Sequence, residues 1–457
     1  MAELRKYKLG EIAKIYNGST PSTLDASNYD GDIIWATPKD LSDQNSKYFS
    51  KGSRNITQKG FDSCSTQMIP ANNILMSSRA PIGLFAINTV DCCTNQGFKN
   101  IVLDKAIADV DFMYYFLKYH VKEIEALGSG TTFREVSKTA FEKYEISIPS
   151  LPTQQKIASV LSKLDRKISV NREINRNLEE LAKQIYDYWF VQFDFPNEDG
   201  KPYKSSGGKM IWNETLKRDI PIGWEVKKIN ELAEIQKYQI TPKENIEYKH
   251  YSLPNFDKYE SYSIENGNSI FSDKFFVENG NLLISKLNPW TDRTVWVDNV
   301  KNAICSTEYV VLKQKDKCIQ SYLNQIAHTQ SFIDYCTSCS TGTSHSHRRV
   351  KPELMTGYKI PFQENIVKAF GKQTYQIIKK KLNIQNENRN LITLRDELLP
   401  LLMSGQVTLN SCLSEHYFFV FAKFTVWEVK EYVTWMLKWR FFKVFNFNFV
   451  SLWIMNR

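Results

Sequence analysis

The sequence predicts an α+β protein in which two similar α/β domains are separated by two long helices. These helices are expected to form an antiparallel coiled coil, which gives the chain a pseudo-twofold internal repeat. Two observations favour this fold: a long passage occurs twice, and each copy precedes a stretch with coiled-coil spacing. The ends of the copies are most alike, since Gly130 through Pro149 aligns without a gap on Gly342 through Pro361. A repeat of this length indicates whole domains rather than the short units of a solenoid.

Each copy is followed by apolar residues spaced alternately three and four apart, as in a coiled-coil seam. Each seam extends over roughly 50 Å at 1.5 Å per residue. Both seams carry an asparagine at the same place, and a polar seam residue fixes pairing at a cost in stability. The alternative is that the asparagines lie on solvated faces of two ordinary amphipathic helices. The predicted seam positions are Leu161, Leu164, Ile168, Asn175, Leu178, Ile185, Ile377, Ile384, Asn388, Leu391 and Leu398.

The repeat divides the chain into segments. Short apolar runs at 32–36, 73–76 and 99–103 predict strands in the first domain, and 111–125 has helical spacing. An aromatic-rich tail does not follow the repeat and suggests a frameshift or readthrough, the alternative being a genuine partner-binding or membrane-surface segment. The predicted segments are the first domain 1–150, the first helix 151–192, a linker or lead-in 193–223, the second domain 224–362, the second helix 363–406 and the tail 407–457.

The composition is that of a basic globular protein. A net charge of +9 is compatible with a polyanionic partner such as DNA, although many soluble proteins are mildly basic. The eight cysteines are scattered and the N-terminus has no apolar signal core, so a cytoplasmic location is expected. No apolar run is long enough to span a bilayer, which predicts no membrane partner.

No motif in the sequence indicates catalysis. It has neither a Gly-x-x-x-x-Gly-Lys-Ser/Thr phosphate loop nor a Gly-x-Gly-x-x-Gly turn after a strand. Asn288-Pro289-Trp290 resembles part of an adenine methyltransferase clamp but has only one proline. The zinc-ligand types at Cys336, Cys339, His345 and His347 include a His-x-His spacing too short for the usual finger. We therefore expect binding rather than catalysis, with no catalytic residues and no metal.

Three polar loop regions in each copy offer side chains that can reach phosphates and base edges. Equivalent loops carry different side chains, as expected of two readers of different sequences. For any single residue, a plain polar turn is the alternative. The candidate DNA-binding residues are Ser19, Thr20, Ser78, Arg79, Thr131, Thr132 and Arg134 in the first copy, and Lys237, Tyr238, Lys286, Asn288, Arg293, Ser344, His345, His347, Arg348 and Arg349 in the second.

These features together resemble the specificity subunit of type I restriction-modification systems, over residues 1 to about 410. Besides the double architecture, the resemblance rests on Gly18-Ser-Thr-Pro-Ser, on the Ile-Pro-Ser-Leu-Pro-Thr-Gln-Gln-Lys-Ile run at 148–157, and on the stretches 203–210 and 220–225. The second copy departs from the family at 361–365, where the Leu-Pro-x-x-Gln-Gln run is missing. The aromatic tail also lacks a family counterpart, which raises the alternative of an inactive or phase-varied subunit.

The resemblance implies a non-catalytic subunit with two target recognition domains, each reading one half of a split site in double-stranded DNA. It implies that the two helices form the spacer and that two modification (methyltransferase) subunits dock on this chain. Those partners would methylate adenine at N6 with S-adenosylmethionine, and restriction (motor-nuclease) subunits would use ATP and magnesium. No cofactor is expected on this chain itself.

Three other functions remain as alternatives at the level of the sequence. The first is a stand-alone DNA-binding regulator of transcription, which would bind DNA without partners. The second is an enzyme with an unrecognised active site. The third is a scaffold that uses the coiled coil to hold proteins and ignores DNA.

Overall fold

The computed structural model describes residues 4–44, 46–130, 134–342 and 347–405, with the backbone of 407–409 and 424–426. The chain divides into two compact units. The first unit combines Met1–Ser169 with Leu391–Arg457, and the second unit is Val170–Asn390. Each unit therefore contains one of the repeated domains together with part of each long helix.

The first domain is built on a five-stranded sheet of order β2-β9-β6-β7-β4, with a three-stranded sheet β5-β3-β8 and a pair β1-β10. Every residue of β6 is buried, so the largest sheet passes through the core. The strands are β1 (Arg5–Lys8), β2 (Ala13–Asn17), β3 (Tyr29–Ala36), β4 (Tyr48–Phe49), β5 (Arg54–Ile56), β6 (Ile74–Ser78), β7 (Ile82–Asn88), β8 (Cys93–Thr94), β9 (Phe98–Leu103) and β10 (Glu145–Ile148).

Short helices connect these strands, and one long helix leaves the domain. The Asp109 carboxylate accepts a 2.9 Å hydrogen bond from the Phe112 backbone amide and so caps α4. The helical spacing over 111–125 corresponds to two helices, because the backbone leaves the helical conformation at His120. The helices are α1 (Leu9–Ile12), a 3₁₀ turn (Ala26–Asn28), α2 (Pro38–Asp43), α3 (Gln58–Asp62), α4 (Val110–Tyr119), α5 (Val121–Ala126), α6 (Lys138–Glu142) and the long helix α7 (Leu151–Tyr186).

The second domain repeats this design with sheets of order β14-β22-β19-β20 and β15-β18-β21-β16-β17, and pairs β11-β12 and β13-β23. Its strands are β11 (Met210–Asn213), β12 (Arg218–Pro221), β13 (Glu225–Lys228), β14 (Glu234–Gln236), β15 (Gln239–Ile240), β16 (Glu247–Tyr251), β17 (Ser263–Asn266), β18 (Lys274–Val277), β19 (Leu282–Ser285), β20 (Thr294–Trp296), β21 (Ala303–Cys305), β22 (Tyr309–Lys313) and β23 (Lys359–Phe362). Its helices are a π-helical turn (Asp187–Val191), α8 (Ile229–Leu232), α9 (Leu253–Tyr259), a 3₁₀ turn (Gly267–Ser269), α10 (Lys317–Ala327), α11 (Gln330–Ser338), α12 (Pro352–Thr356) and the long helix α13 (Glu364–Met403).

Strand register corrects the gapless alignment of the two copies. In the first domain Arg5 pairs with Ile148, and in the second Glu225 pairs with Phe362. Ile148 therefore corresponds to Phe362 rather than to Ile360. The difference arises in a loop, because the backbone bridge that closes it joins Ser129 to Glu135 in one copy and Thr341 to Arg349 in the other. The loop of the second copy is longer, so the gapless alignment pairs residues that are not equivalent beyond this loop.

The two long helices run antiparallel, as contacts within the second unit establish. The Asn171 amide of α7 donates to Glu387 of α13 over 2.8 Å. Farther along α7, Glu179 meets Lys381, which lies earlier in α13, at 2.5 Å. Within the first unit, Asp165 meets Arg395 at 2.7 Å in the same descending order. Since one residue number rises as the other falls, the two helices have opposite directions.

The predicted seam positions are all shielded from solvent to some degree. Leu161, Leu164, Ile168, Asn175, Asn388, Leu391 and Leu398 are buried, and Leu178, Ile185, Ile377 and Ile384 are half-buried. Within the described part of the chain, neither polar atom of the Asn175 side chain has a hydrogen-bond partner. A buried amide without a partner costs stability. The predicted fold class, two α/β domains with two long antiparallel helices, is confirmed.

An aromatic cluster joins the second domain to both long helices within the second unit. Phe190, in the π-helical turn that follows α7, is fully buried. Its ring lies 4.6 Å from Tyr322 of α10, 5.1 Å from Phe370 of α13 and 5.7 Å from Trp224, measured between centroids. Aromatic contacts at these distances contribute beyond the area they bury. This cluster is therefore the main apolar attachment of the second domain to its helices.

The described helices include none that is long and apolar enough to cross a membrane. Beyond α13, the backbone of β24 (Val407–Leu409) pairs with β25 (Phe424–Val426) in antiparallel fashion. The rest of the tail from 407 to 457 lies outside the described residues.

Replacement of Phe190 by alanine is expected to lower the free energy of unfolding of the second unit by about 3 kcal/mol, because a large buried ring leaves a cavity. The measurement is urea unfolding followed by tryptophan fluorescence, since Trp224 lies against Phe190. Tyr188→Ala is the matched control, because Tyr188 occupies the same helical turn but is 39% exposed. An equal loss for both variants would contradict the assignment of Phe190 as the attachment.

Candidate nucleic-acid interface

The first polar loop, at 18–20, is held firmly against the turn that precedes β9. A side chain at Gly18 would lie 2.0 Å from the Asn95 carbonyl oxygen, so only glycine permits this approach. The Ser19 amide donates to the Thr94 carbonyl at 2.9 Å, and the Thr20 hydroxyl bonds the Gln96 side chain. Ser19 and Thr20 are half-buried, so this loop presents a fixed polar surface.

A cluster of charges, which we call the Glu135 cluster, lies where β6 ends. It consists of Arg79, Lys99 and Glu135. Lys99 is 6% exposed and its ammonium group contacts Glu135 at 2.9 Å. Arg79 lies 3.7 Å from the same carboxylate, and both Arg79 and Glu135 remain about one-third exposed, at 37% and 36%. Ser78 is buried beside them, within 3.5 Å of Lys99, so its hydroxyl supports the cluster instead of facing solvent.

Arg134 secures the loop that ends at Glu135. Its guanidinium donates to the Glu125 carbonyl at 3.1 Å and to the Gly128 carbonyl at 3.2 Å. These carbonyls lie at the C-terminal end of α5, where unpaired acceptors and the helix dipole favour a cation. Arg134 is nevertheless exposed, so it fixes the loop and adds positive charge to its surface. Thr131 and Thr132 lie outside the described residues.

The second domain carries an ion pair in the equivalent place. Arg349 makes two hydrogen bonds to Glu308, of 2.9 Å and 3.1 Å. The hydrogen bond to Glu308 raises the pKa of Arg349 above its ordinary value. Arg349 is 48% exposed, so the pair lies at the surface. Lys286, at the end of β19, connects the two partners through its backbone, since its amide donates to Glu308 and its carbonyl accepts from Val350.

The backbone hydrogen bonds show which residues of the two domains are equivalent. Val136 donates to the Ser78 carbonyl at 3.1 Å, and Val350 donates to the Lys286 carbonyl at 3.1 Å. Glu135 and Arg349 each precede that valine, so they occupy the same position. An acid therefore stands in one domain where a base stands in the other. Arginine can bind guanine O6 and N7, whereas a carboxylate can accept from the cytosine amino group, so the two positions offer different hydrogen-bonding groups.

The remaining candidates of the second domain differ in their exposure and in their contacts within the protein. Arg293 is only 16% exposed and bonds both oxygens of Asp257 at 2.7 Å and 3.1 Å, so it holds α9. Arg348 donates to the Ser340 carbonyl at 2.7 Å, and the Asn288 amide donates to the Arg348 carbonyl at 2.8 Å. His347 is exposed, while Ser344 and His345 lie outside the described residues.

Lys237 and Tyr238 form an exposed edge of the second domain. Lys237 lies 3.7 Å from Glu353, with both side chains about two-thirds exposed. Tyr238 is exposed and packs edge-on against Phe276 at 6.1 Å. Such an arrangement leaves an ammonium group and an aromatic ring accessible to a phosphate backbone.

Three residues of these surfaces, Lys99, Glu135 and Glu308, are not among the candidates that the sequence predicts. The predicted candidates in the loops are cations, amides, hydroxyls and imidazoles, so they do not include the two acids. Lys99 gave a signal of another kind, since it is a charged residue inside the apolar run Phe98 to Leu103. A lysine in a buried strand requires a carboxylate partner, and that requirement points to an acid nearby.

Cys336 lies in α11 and is buried, and Cys339 follows at the end of that helix. Within the described residues there is no group of three or more histidine, cysteine, aspartate or glutamate side chains that could hold a metal ion.

Comparison with known proteins identifies relatives over most of the chain. Residues 1–180 match the family model described as the type I restriction modification DNA specificity domain. The type I restriction enzyme MjaIX specificity subunit of Methanocaldococcus jannaschii is 28% identical over 414 residues, which cover 88% of this chain and 92% of that protein. The HindI specificity subunit of Haemophilus influenzae is 23% identical over 487 residues, covering 89% of this chain and 100% of its own length.

A solved structure shares the fold. The type I restriction-modification S subunit from M. genitalium superposes with a TM-score of 0.52 at 17% sequence identity, covering 88% of this chain and 96% of that one.

Replacement of Glu135 by alanine is expected to lower the free energy of unfolding by about 2 kcal/mol, because it leaves the buried Lys99 charge without a carboxylate. Glu308→Ala is the matched control, and its expected cost is below about 1 kcal/mol because Arg349 stays solvated. Urea unfolding followed by circular dichroism measures both. A larger loss for Glu308→Ala would contradict the distinction between a buried and a surface pair.

Proposed function

The chain belongs to the family of type I restriction-modification DNA specificity subunits, and from that premise we propose that it reads a bipartite DNA site. In this proposal the first domain recognises one half-site and the second domain recognises the other. The chain itself is non-catalytic, and it directs N6-adenine methylation and restriction by partner subunits. The observation that carries the proposal is the pair of equivalent positions with opposite charge, Glu135 and Arg349.

Opposite charges at one position support two readers of different bases, since each charge offers a different hydrogen-bonding group. Arg349 and Arg79 are both partly exposed and both contact a carboxylate, which holds the guanidinium in place before DNA arrives. An arginine oriented in this way loses less side-chain freedom on binding a guanine.

We further propose that α7 and α13 set the distance between the two half-sites. Polar contacts at Asn171–Glu387 and Glu179–Lys381 fix the register of these helices. A fixed register makes helix length a defined quantity, so a change of length would change the spacing that the protein accepts.

The partners of this chain are proposed to be double-stranded DNA, two modification (methyltransferase) subunits and the restriction subunits, all in the cytoplasm. The modification subunits would bind S-adenosylmethionine, and the restriction subunits would bind ATP and magnesium. This chain would supply the half-site contacts and the docking surface. It would contribute no group to the bond-making steps.

The test is to produce the chain with its modification subunits in a methylation-free host and map N6-methyladenine by single-molecule sequencing. Methylation at one split motif is expected. Arg79→Ala is expected to relax one half-site and Arg349→Ala the other, each by about 1–3 kcal/mol of discrimination per contacted base pair. Lys217→Ala is the control: it removes an equal charge from the β11–β12 turn, where Lys217 pairs with Glu214, and is expected to leave both half-sites unchanged.

Relaxation of both half-sites by a single substitution would contradict the division of labour between the domains. An assembled complex that methylates nothing would contradict the proposed function. Methylation that appears only after removal of residues 411–457 would support the function and identify the tail as an interfering extension. Methylation by the purified chain alone would contradict its non-catalytic role.

Removal of one matched heptad from each helix, 173–179 from α7 and 380–386 from α13, is expected to shorten the accepted spacing. Seven residues correspond to about 10 Å of helix, or about three base pairs of B-DNA. The seam phase is preserved, because a heptad is the repeat of the coiled coil. Methylation mapping should report the same half-sites at the new spacing, and an unchanged spacing would contradict the role of the helices.

A further inference from the structure

A series of buried polar contacts connects the first domain to both long helices, and all of these contacts lie within the first unit. Lys47 begins it: this ammonium group pairs with Asp111 of α4 and donates to the Ser162 hydroxyl of α7 at 3.0 Å. It also lies 4.3 Å from the centre of the Tyr115 ring. Lys47 is almost fully buried, and burial lowers the pKa of Lys47 although Asp111 opposes that effect. A buried ammonium group with three partners in fixed directions does not move freely.

Tyr115 connects this series of contacts to the two long helices. Its hydroxyl donates to Asp165 of α7 at 2.5 Å, and the other oxygen of Asp165 accepts from Arg395 of α13 at 2.7 Å. Burial raises the pKa of Tyr115, so the hydroxyl keeps its proton and remains a donor. Burial alone would lower the pKa of Arg395, but the carboxylates of Asp165 and Asp396 hold it above its ordinary value. One carboxylate thus connects a recognition domain to both helices.

The second domain lacks this connection at the equivalent residue. Tyr322 is the sixth residue of α10, as Tyr115 is the sixth of α4, and an aspartate caps each helix. The Tyr322 hydroxyl is also buried and also donates over 2.5 Å, but its acceptor is the Pro361 carbonyl of its own domain. The second domain meets the helices through aromatic packing around Phe190 and through ion pairs, such as that between Arg172 of α7 and Glu260 at 3.7 Å. Packing of this kind is less directional than hydrogen bonds between charged groups.

We propose that Tyr115, Asp165 and Arg395 form a positioning network that sets the angle of the first domain on the spacer helices and so restricts the protein to a single half-site spacing. The inference rests on the proposed function, because it assigns the network a role in reading a bipartite site. The three residues act through the orientation of the domain and touch no base. Loss of the network would therefore alter which spacings are accepted and leave the half-site sequences unchanged.

The test compares Tyr115→Phe with Tyr322→Phe in the complete modification complex. Both substitutions remove one buried hydroxyl that donates over 2.5 Å, but only the first breaks a contact with a helix. The probes are labelled duplexes that carry the mapped half-sites at the native spacing, or at a spacing one base pair shorter or longer. Tyr115→Phe is expected to reduce discrimination between the spacings about tenfold, the order expected for one hydrogen bond to a charged group. Tyr322→Phe is expected to retain it.

A second substitution separates positioning from simple loss of stability. Asp165→Asn keeps the shape but removes the charge that Arg395 contacts, and it should also reduce discrimination between spacings. An equal fall in affinity for all three duplexes would indicate a structural role only and would overturn the inference. If both variants discriminate between the spacings as well as the wild type does, the inferred role of the network is wrong. The proposed function would still stand, provided that the wild-type complex methylates one split motif. If the wild-type complex methylates no split motif, both the proposed function and this inference are wrong.

Discussion

Asn171 donates to Glu387, Glu179 meets Lys381, and Asp165 meets Arg395 across the two long helices. An apolar seam by itself tolerates a shift of one heptad, because leucine and isoleucine pack almost equally well against either neighbour. These polar contacts do not tolerate it, since a shift would leave buried charges and amides without partners. The contact of Tyr115 with Asp165 and the proposed half-site spacing both depend on that fixed register.

The two candidate surfaces share a backbone arrangement but not a charge pattern. The bridge from Ser129 to Glu135 and the bridge from Thr341 to Arg349 close the same kind of loop. Within that frame, the partner of Arg349 is Glu308 from the turn before β22, whereas the partner of Lys99 is Glu135 from the loop itself. The backbone holds the position in both copies while the side chains differ, as the proposed reading of two different half-sites requires.

The fold was predictable because its two signals are periodic: the repeat and the heptad seams extend over many residues, so single errors do not hide them. The alignment of Ile148 with Ile360 was wrong because a longer loop precedes β23, and loop length is invisible to a gapless comparison. The loops of the candidate interface were found, but the commitment of Arg293 to Asp257 and the burial of Ser78 were not. Such pairings join residues far apart in the chain, and only the folded arrangement reveals them.

The two domains contact the helices through different residues, and these contacts limit how each domain can change. The aromatic cluster around Phe190 can accept another ring of similar size, because packing depends mainly on volume. The contacts of Lys47 and Tyr115 are more demanding, since a first domain placed on helices without Asp165 would bury a hydroxyl with no acceptor. Arg395 would then lose its closest carboxylate as well. The first domain and its helix residues must therefore change together.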